Sequence, residues 1–147
     1  MCEDPEKGVT TQLNNKNDLA KKGTIMSTSN LQQRLQDLLN HIRQGKIIKA
    51  MNEFYDKDTI MQENANPATK GLPANIEREK QYMSGVKELK GFNVTAQGAD
   101  DNVTFYESTA DFIATNDQLM HVEQVSVAKW KNDKIVHERF YYDTGKK

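Results

Sequence analysis

The stretch from Asn102 to Asp143 constrains the fold more than any other part of the chain. Asn102–Thr115 (NVTFYESTADFIAT), Gln118–Trp130 (QLMHVEQVSVAKW) and Lys134–Asp143 (KIVHERFYYD) each alternate in character and are rich in Val, Ile, Thr, Phe and Tyr. A period of two sends successive side chains to opposite faces of a strand, and these residue types suit a pleated surface. Only Asn116 and Asp117, then Lys131 to Asp133, separate the three segments. Connections that short join antiparallel neighbours. The stretch therefore predicts a meander of three long strands, one face of which must be covered by the rest of the chain.

The preceding residues supply that cover. Leu31, Leu35, Leu38, Leu39 and Ile42 recur at helical spacing, and Ser29 with Gln32 can form a capping box. Gly45 ends this helix. Ile47, Ala50, Met51 and Phe54 give a second, short helix, which runs into a polar turn at Tyr55–Asp58. Thr59–Asn64 is a strand candidate, followed by a loop rich in Pro, Gly and Asn. Pro73 suits the start of a third helix, with Ile76, Met83, Val86 and Leu89 as its apolar stripe, ending near Lys90 at Gly91. Phe92–Gln97 reads as a further strand, and Gly98–Asp101 as the turn into the meander. The order predicts an α+β fold: a curved antiparallel sheet packed on one face by three N-terminal helices, shaped like a cone with an open mouth.

The 147 residues suit one domain. Residues 1 to 26 carry too few large apolar groups to offset their ordering entropy, so they read as a flexible N-terminal arm before a domain over 27–147. A net charge of −1 offers no basic surface for a nucleic-acid backbone. No apolar run approaches the roughly 20 residues that span a bilayer, and the first residues lack the apolar core of a leader. A single cysteine, Cys2, fits a reducing cytosol. The expectation is a cytoplasmic protein without nucleic-acid or membrane partners. Neither a cofactor nor a metal is called for: His121, Glu123 and His137 lack a metal-ligand spacing, and Asp100 and Asp101 sit in no calcium loop. Asn93 and Asn102 each begin a glycosylation-like triplet that reads as chance.

Four features together resemble a known family: Gly45 between two helices, Phe54–Asn64 (FYDKDTIMQEN), Gly71 before the third helix, and Trp130–Asp143 (WKNDKIVHERFYYD). In order and spacing they resemble the nuclear-transport-factor-two-like superfamily. It includes ketosteroid isomerases, SnoaL-like polyketide cyclases, dehydratases and non-enzymatic domains. The resemblance covers about residues 30 to 143 and implies a cystatin-like α+β barrel. It does not imply one reaction, because the fold hosts many. Carried over by position, the proton-shuttling carboxylate of the isomerases falls on Glu63, or on Gln62 with a one-residue slip. The tyrosine and the protonated aspartate that hold the oxyanion fall on Leu38 and Ser126. The isomerases' strong oxyanion donors are thus missing from these two positions.

If Ser126 faces the interior, alternation puts Val122, Gln124 and Ala128 beside it, and comparison with the last strand adds Glu138, Phe140 and Tyr142. These residues predict a hydrophobic cavity for a small hydrophobic or polyketide-like molecule, with Gln124, Ser126, Phe140 and Tyr142 as ligand contacts. The alternative is a cyclase, isomerase or dehydratase with Glu63 or Glu138 as general base. A second alternative is a non-catalytic dimerisation module. His41 reads as structural, and Trp130 with the aromatic run of the last strand reads as core or dimer packing rather than a stacking platform for a ring. His121, Glu123, Val125, Val127, His137, Arg139 and Tyr141 fall on the opposite face, which is expected to form a homodimer. Deleting residues 1 to 25 should leave the melting temperature within a few degrees of the full chain's, because about 1 kcal/mol already shifts a domain of this size by several degrees. A calorimetric scan of both forms checks this.

Overall fold

The computed structural model describes residues 28–145. The expected arm lies outside the described residues, and so do the side chains of Thr28 and Ser29 on which the expected cap falls. Helix α1 spans Thr28–Arg43 and α2 spans Ile47–Phe54. The leucine stripe of α1 is wholly withdrawn from water. Leu31 and Leu38 join Ala50, Met51 and Phe54 in a cluster with Trp130 and Ile135, while Leu35 and Leu39 pack on Tyr106. Gly45 links the helices at φ 76°, a left-handed conformation that is strained for residues carrying a Cβ.

Strand β1, Tyr55–Glu63, follows α2 without a linker. A polar turn was expected at Tyr55–Asp58. Instead Tyr55 pairs with Ile135, and a register shift before Ile60 accommodates the acidic residues. A two-residue strand β2, Thr69–Lys70, interrupts the expected loop, and α3 then spans Leu72–Ser84 with Pro73 in its first turn. The expected extension of α3 to Lys90 does not occur. Strand β3 spans Val86–Asp100, so Val86 and Leu89 are strand residues opposite Ala114 and Phe112, and Gly91 pairs with Asp111. The segment Val86–Lys90 alternates as readily as it repeats at helical spacing, and pairing with a long neighbour decides between the two.

The meander is present as expected: β4 spans Val103–Ala114, β5 Leu119–Lys131 and β6 Lys134–Tyr142. Asp101 and Asn102, and likewise Asn132 and Asp133, have positive φ, which matches the twist of two-residue hairpins. The six strands form one open sheet in the order β2-β1-β6-β5-β4-β3. Every neighbouring pair is antiparallel except β1 and β6, where the expected antiparallel pattern gives way to a parallel pair. These two strands are joined through all the intervening elements, so no hairpin forces them to run oppositely. Register shifts in β1 and β3 accompany the curvature of the sheet, whose concave face receives α1.

Arg34 ties α1 to α2 and to the β5–β6 turn. The Arg34 guanidinium stacks 4.4 Å from the Phe54 ring centroid and donates to Asp133 O at 2.6 Å. On β3, Gly98 lies against the Phe105 ring, where a Cβ would come within 2.7 Å of ring carbons. Leu38 is 2% exposed, so Leu38→Ala should destabilise the domain by about 2–5 kcal/mol, whereas Leu38→Met should cost less than about 1.5 kcal/mol. Urea denaturation of the three proteins measures both differences.

Candidate functional site

Alternation brings one inward residue from each of four neighbouring strands into a single buried polar row. Tyr55 comes from β1, Glu138 from β6, Ser126 from β5 and Tyr106 from β4. The Tyr55 hydroxyl donates to Glu138 Oε1, and Ser126 Oγ donates to Glu138 Oε2 at 2.5 Å. Tyr106 stands directly opposite Ser126, close enough for the serine to lower its phenol pKa against the larger rise from burial. All four side chains are buried, and Glu138 is 0% exposed. Nearby, Trp130 Nε1 donates to Thr104 Oγ1 at 2.8 Å.

A carboxyl in such a place is hard to ionise. Burial pushes the Glu138 carboxyl up to about 7, against the pull of the Ser126 and Tyr55 hydrogen bonds, and the charge of Glu79 adds to the rise. Burial, then the Glu138 charge, raises the tyrosines at 55 and 106 well above their ordinary range. Near neutrality Glu138 thus exists in both forms. Ionised, it accepts from two hydroxyls. Neutral, it becomes a donor itself.

Glu79 lies on α3, one turn beyond Asn75, whose side chain is buried. It is half-buried and makes no hydrogen bond or close ion pair among the described residues. Burial raises its carboxyl, Arg78 opposes the rise and Glu63 adds to it. Tyr82, one turn further along, packs edge-on to Phe112 with centroids 6.2 Å apart. At the end of β1, Glu63 accepts from Tyr142 Oη at 2.7 Å and pairs with Arg78 Nη2 at 2.8 Å. The hydrogen bond to Glu63 is the main cause that pushes the Tyr142 phenol up to about 12.

Four of the six sequence-derived candidates therefore fall into two groups. Ser126 and Glu138 share the buried row, while Glu63 and Tyr142 share a second, partly exposed cluster with Arg78. Phe140 is half-buried against the main apolar cluster. Gln124 is half-buried and borders an open depression of about 420 Å³ with Thr95, Glu107, Glu123, Val125 and Tyr141. Gln62, the alternative to Glu63, bonds Asn66 O. A second depression, of about 360 Å³, lies between Gln32, Gln36, Gln97 and Gly98. On the outer face, His121 is held between Asp111 at 2.6 Å and Glu123 at 2.9 Å, and these hydrogen bonds raise its pKa, with that to Glu123 the larger cause. No group of three metal-ligating side chains among the described residues is arranged to hold an ion.

Sequence reasoning does not find Tyr55, Tyr106 or Glu79 as site residues. The signal for Tyr106 is present in the alternation of β4, which places it between buried Thr104 and Ser108. Glu79 is legible as the residue four beyond Asn75. Tyr55 is not legible, because the acidic residues after it mask the start of the strand.

No family model and no curated protein matches the chain. Solved structures do. A protein from Mesorhizobium loti described as a SnoaL-like polyketide cyclase superposes with a TM-score of 0.66 at 20% identity, covering 80% of this chain and 100% of that one. An NTF2-like protein of unknown function from Burkholderia pseudomallei gives a TM-score of 0.69 at 13% identity, covering 81% and 93%. An LEH-like epoxide hydrolase of M. tuberculosis gives 0.64 at 14% identity, covering 79% and 84%. At these identities the likeness is one of fold, and the chain has the α+β fold shared by SnoaL-like and NTF2-like proteins.

Proposed function

We propose that the protein binds a small organic molecule in the interior between α3 and the concave face of the sheet. The observation that carries this reading is the buried row Tyr55–Glu138–Ser126–Tyr106. A domain that needs only a core gains more from apolar side chains there, since a buried carboxyl is costly even when hydrogen-bonded. The half-buried Glu79 and Tyr142 extend the polar lining towards solvent, where exposed Tyr82 packs on buried Phe112. The SnoaL-like relatives in fold include proteins described as a polyketide cyclase and an epoxide hydrolase, which supports a ligand of that size. A fragment screen followed by amide chemical shifts should move Tyr55, Tyr106, Ser126 and Glu138 together. Shifts confined to the outer face reject the reading.

A second reading is a cyclase, isomerase or dehydratase in which Glu138 holds the proton. It is favoured over Glu63 because Glu138 is the carboxyl whose pKa is moved to about 7. The Glu138 oxygens are covered by Tyr55 and Ser126, so those hydroxyls would relay the proton to a ligand. We also propose a homodimer through the outer face. Val125 and Val127 lie half-buried there, and Tyr141 is exposed with Arg139 stacked 4.8 Å from its ring. Val125→Glu should yield monomers by light scattering, while a monomeric wild type at tens of micromolar rejects the pairing.

The tuned carboxyl has a thermodynamic signature. The Glu138 pKa is about 7 in the folded protein against an ordinary value of 4.5, so the folded state holds this proton more tightly than the unfolded one. The associated stability is fully present below 4.5 and is lost as pH rises to about 7. Across that window the wild type should lose roughly 3 kcal/mol relative to Glu138→Gln, in which no proton titrates. Denaturant titrations at several pH values measure the difference. Identical pH profiles would remove the basis for assigning Glu138 a proton-transfer role.

A further inference from the structure

Three acceptors beside α3 lack a donor. Asn75 is 2% exposed, and its amide is fixed by donation from Nδ2 to Gly71 O at 2.8 Å and Thr69 O at 3.1 Å, with a longer bond to Thr59 O at 3.4 Å. That orientation commits Oδ1 to the other side, where it is buried without a partner among the described residues. Thr59 on β1 is 0% exposed, and its Oγ1 is also buried without a partner. One helical turn after Asn75 comes Glu79, half-buried and without a hydrogen bond. Residues four apart on a helix lie about 6 Å apart, so Asn75 and Glu79 face the same space. Leu72 and Ile76 of the same helix pack on the apolar core, and exposed Tyr82 packs on buried Phe112.

Buried polar atoms without partners are rare in folded proteins, and each calls for a missing group. Here every unfilled position can accept, and one of them is a carboxylate. The adjacent cation, Arg78, is engaged by Glu63 at 2.8 Å. A buried water offers two hydrogens and no charge. An ammonium offers three hydrogens, no acceptor, and the charge that Glu79 lacks. An anionic ligand would instead meet Glu79 and Glu63, with Glu138 behind them.

We infer that the site takes a primary amine, its ammonium held by Glu79 with Asn75 Oδ1 and Thr59 Oγ1 accepting its remaining hydrogens. This rests on the small-molecule-binding reading and narrows it to a ligand with a cationic nitrogen on an apolar body. The Tyr82 and Phe112 rings are placed to cover that body.

Benzylamine, benzyl alcohol and benzoate share one ring and differ in charge. They should be titrated into the full-length protein at about pH 8, where an alkylamine is cationic and a carboxyl even moderately raised is ionised. Amide shifts locate the binding and give the affinities. Benzylamine should bind at least tenfold more tightly than the alcohol, with shifts at Thr59, Asn75 and Glu79, and benzoate should not bind there. Glu79→Gln should reduce the amine to the alcohol's affinity. Thr59→Val removes a hydroxyl that bonds nothing, so it should keep or raise the melting temperature while weakening the amine alone. Equal affinities for amine and alcohol in the wild type overturn the inference, as does a preference that survives both substitutions. If the alcohol enters the interior without any amine preference, a buried water fills the unpaired positions, the amine assignment falls and the binding reading stands. If none of the three moves interior amides at about 10 mM, weaker than millimolar affinity, both fall. Should Glu79→Gln not fold, the Thr59→Val comparison decides alone.

Discussion

Withdrawal of one face of α1 from water holds the remaining geometry in place. Leu31, Leu35, Leu38 and Leu39 are all buried against the concave side of the sheet, and burying a leucine contributes about 2 kcal/mol. A sheet that bends needs something to bend around. Here the bend encloses α1 and α2, and the strand ends near α2 are filled by Phe54, Trp130 and Ile135. The side towards α3 is filled differently. Its inward face presents Asn75 and Glu79 beside Leu72 and Ile76, where the other helices present Leu, Met and Phe. The interior thus has an apolar part around α1 and α2 and a more polar part beside α3.

The polar part is organised by register. Tyr55, Glu138, Ser126 and Tyr106 sit on four adjacent strands, so the hydrogen bonds of Glu138 to Tyr55 and Ser126, with Tyr106 opposite Ser126, run across the sheet rather than along it. A slip of one residue in any of these strands would turn its member to the outer face and leave a buried partner unsatisfied. The same row therefore penalises wrong pairings of the meander while it keeps a carboxyl near the midpoint of its titration. Low polarity around Glu138 strengthens each hydrogen bond to it and also disfavours its charge, and burial is the larger of the two effects on its pKa.

The two faces of the sheet treat charge in opposite ways. His121 on the outer face lies between two exposed carboxylates, where water screens the pairs and they add little to stability. On the inner face the polar groups are screened by protein alone, so a single unpaired acceptor matters. Asn75 Oδ1 and Thr59 Oγ1 belong to this second environment, both buried without a partner among the described residues.

Alternation and short turns fix the meander from the sequence alone, because a period of two over many residues has one structural reading. The leucine spacing fixes α1 in the same way. Parity groups Ser126 with Gln124 and Ala128, but it is the family resemblance that points Ser126 and Glu138 inward, where both are buried. Local pattern failed where two periods compete. Val86–Lys90 satisfies helix and strand alike, and only the partner strand β4 selects β3 over a longer α3. Tertiary structure alone decided the parallel pairing of β1 with β6, which brings Tyr55 to Glu138 across 83 residues of chain. It also decided that Glu63 and Glu138 belong to separate clusters, because hydrogen-bond partners depend on distances between elements that no local sequence pattern encodes.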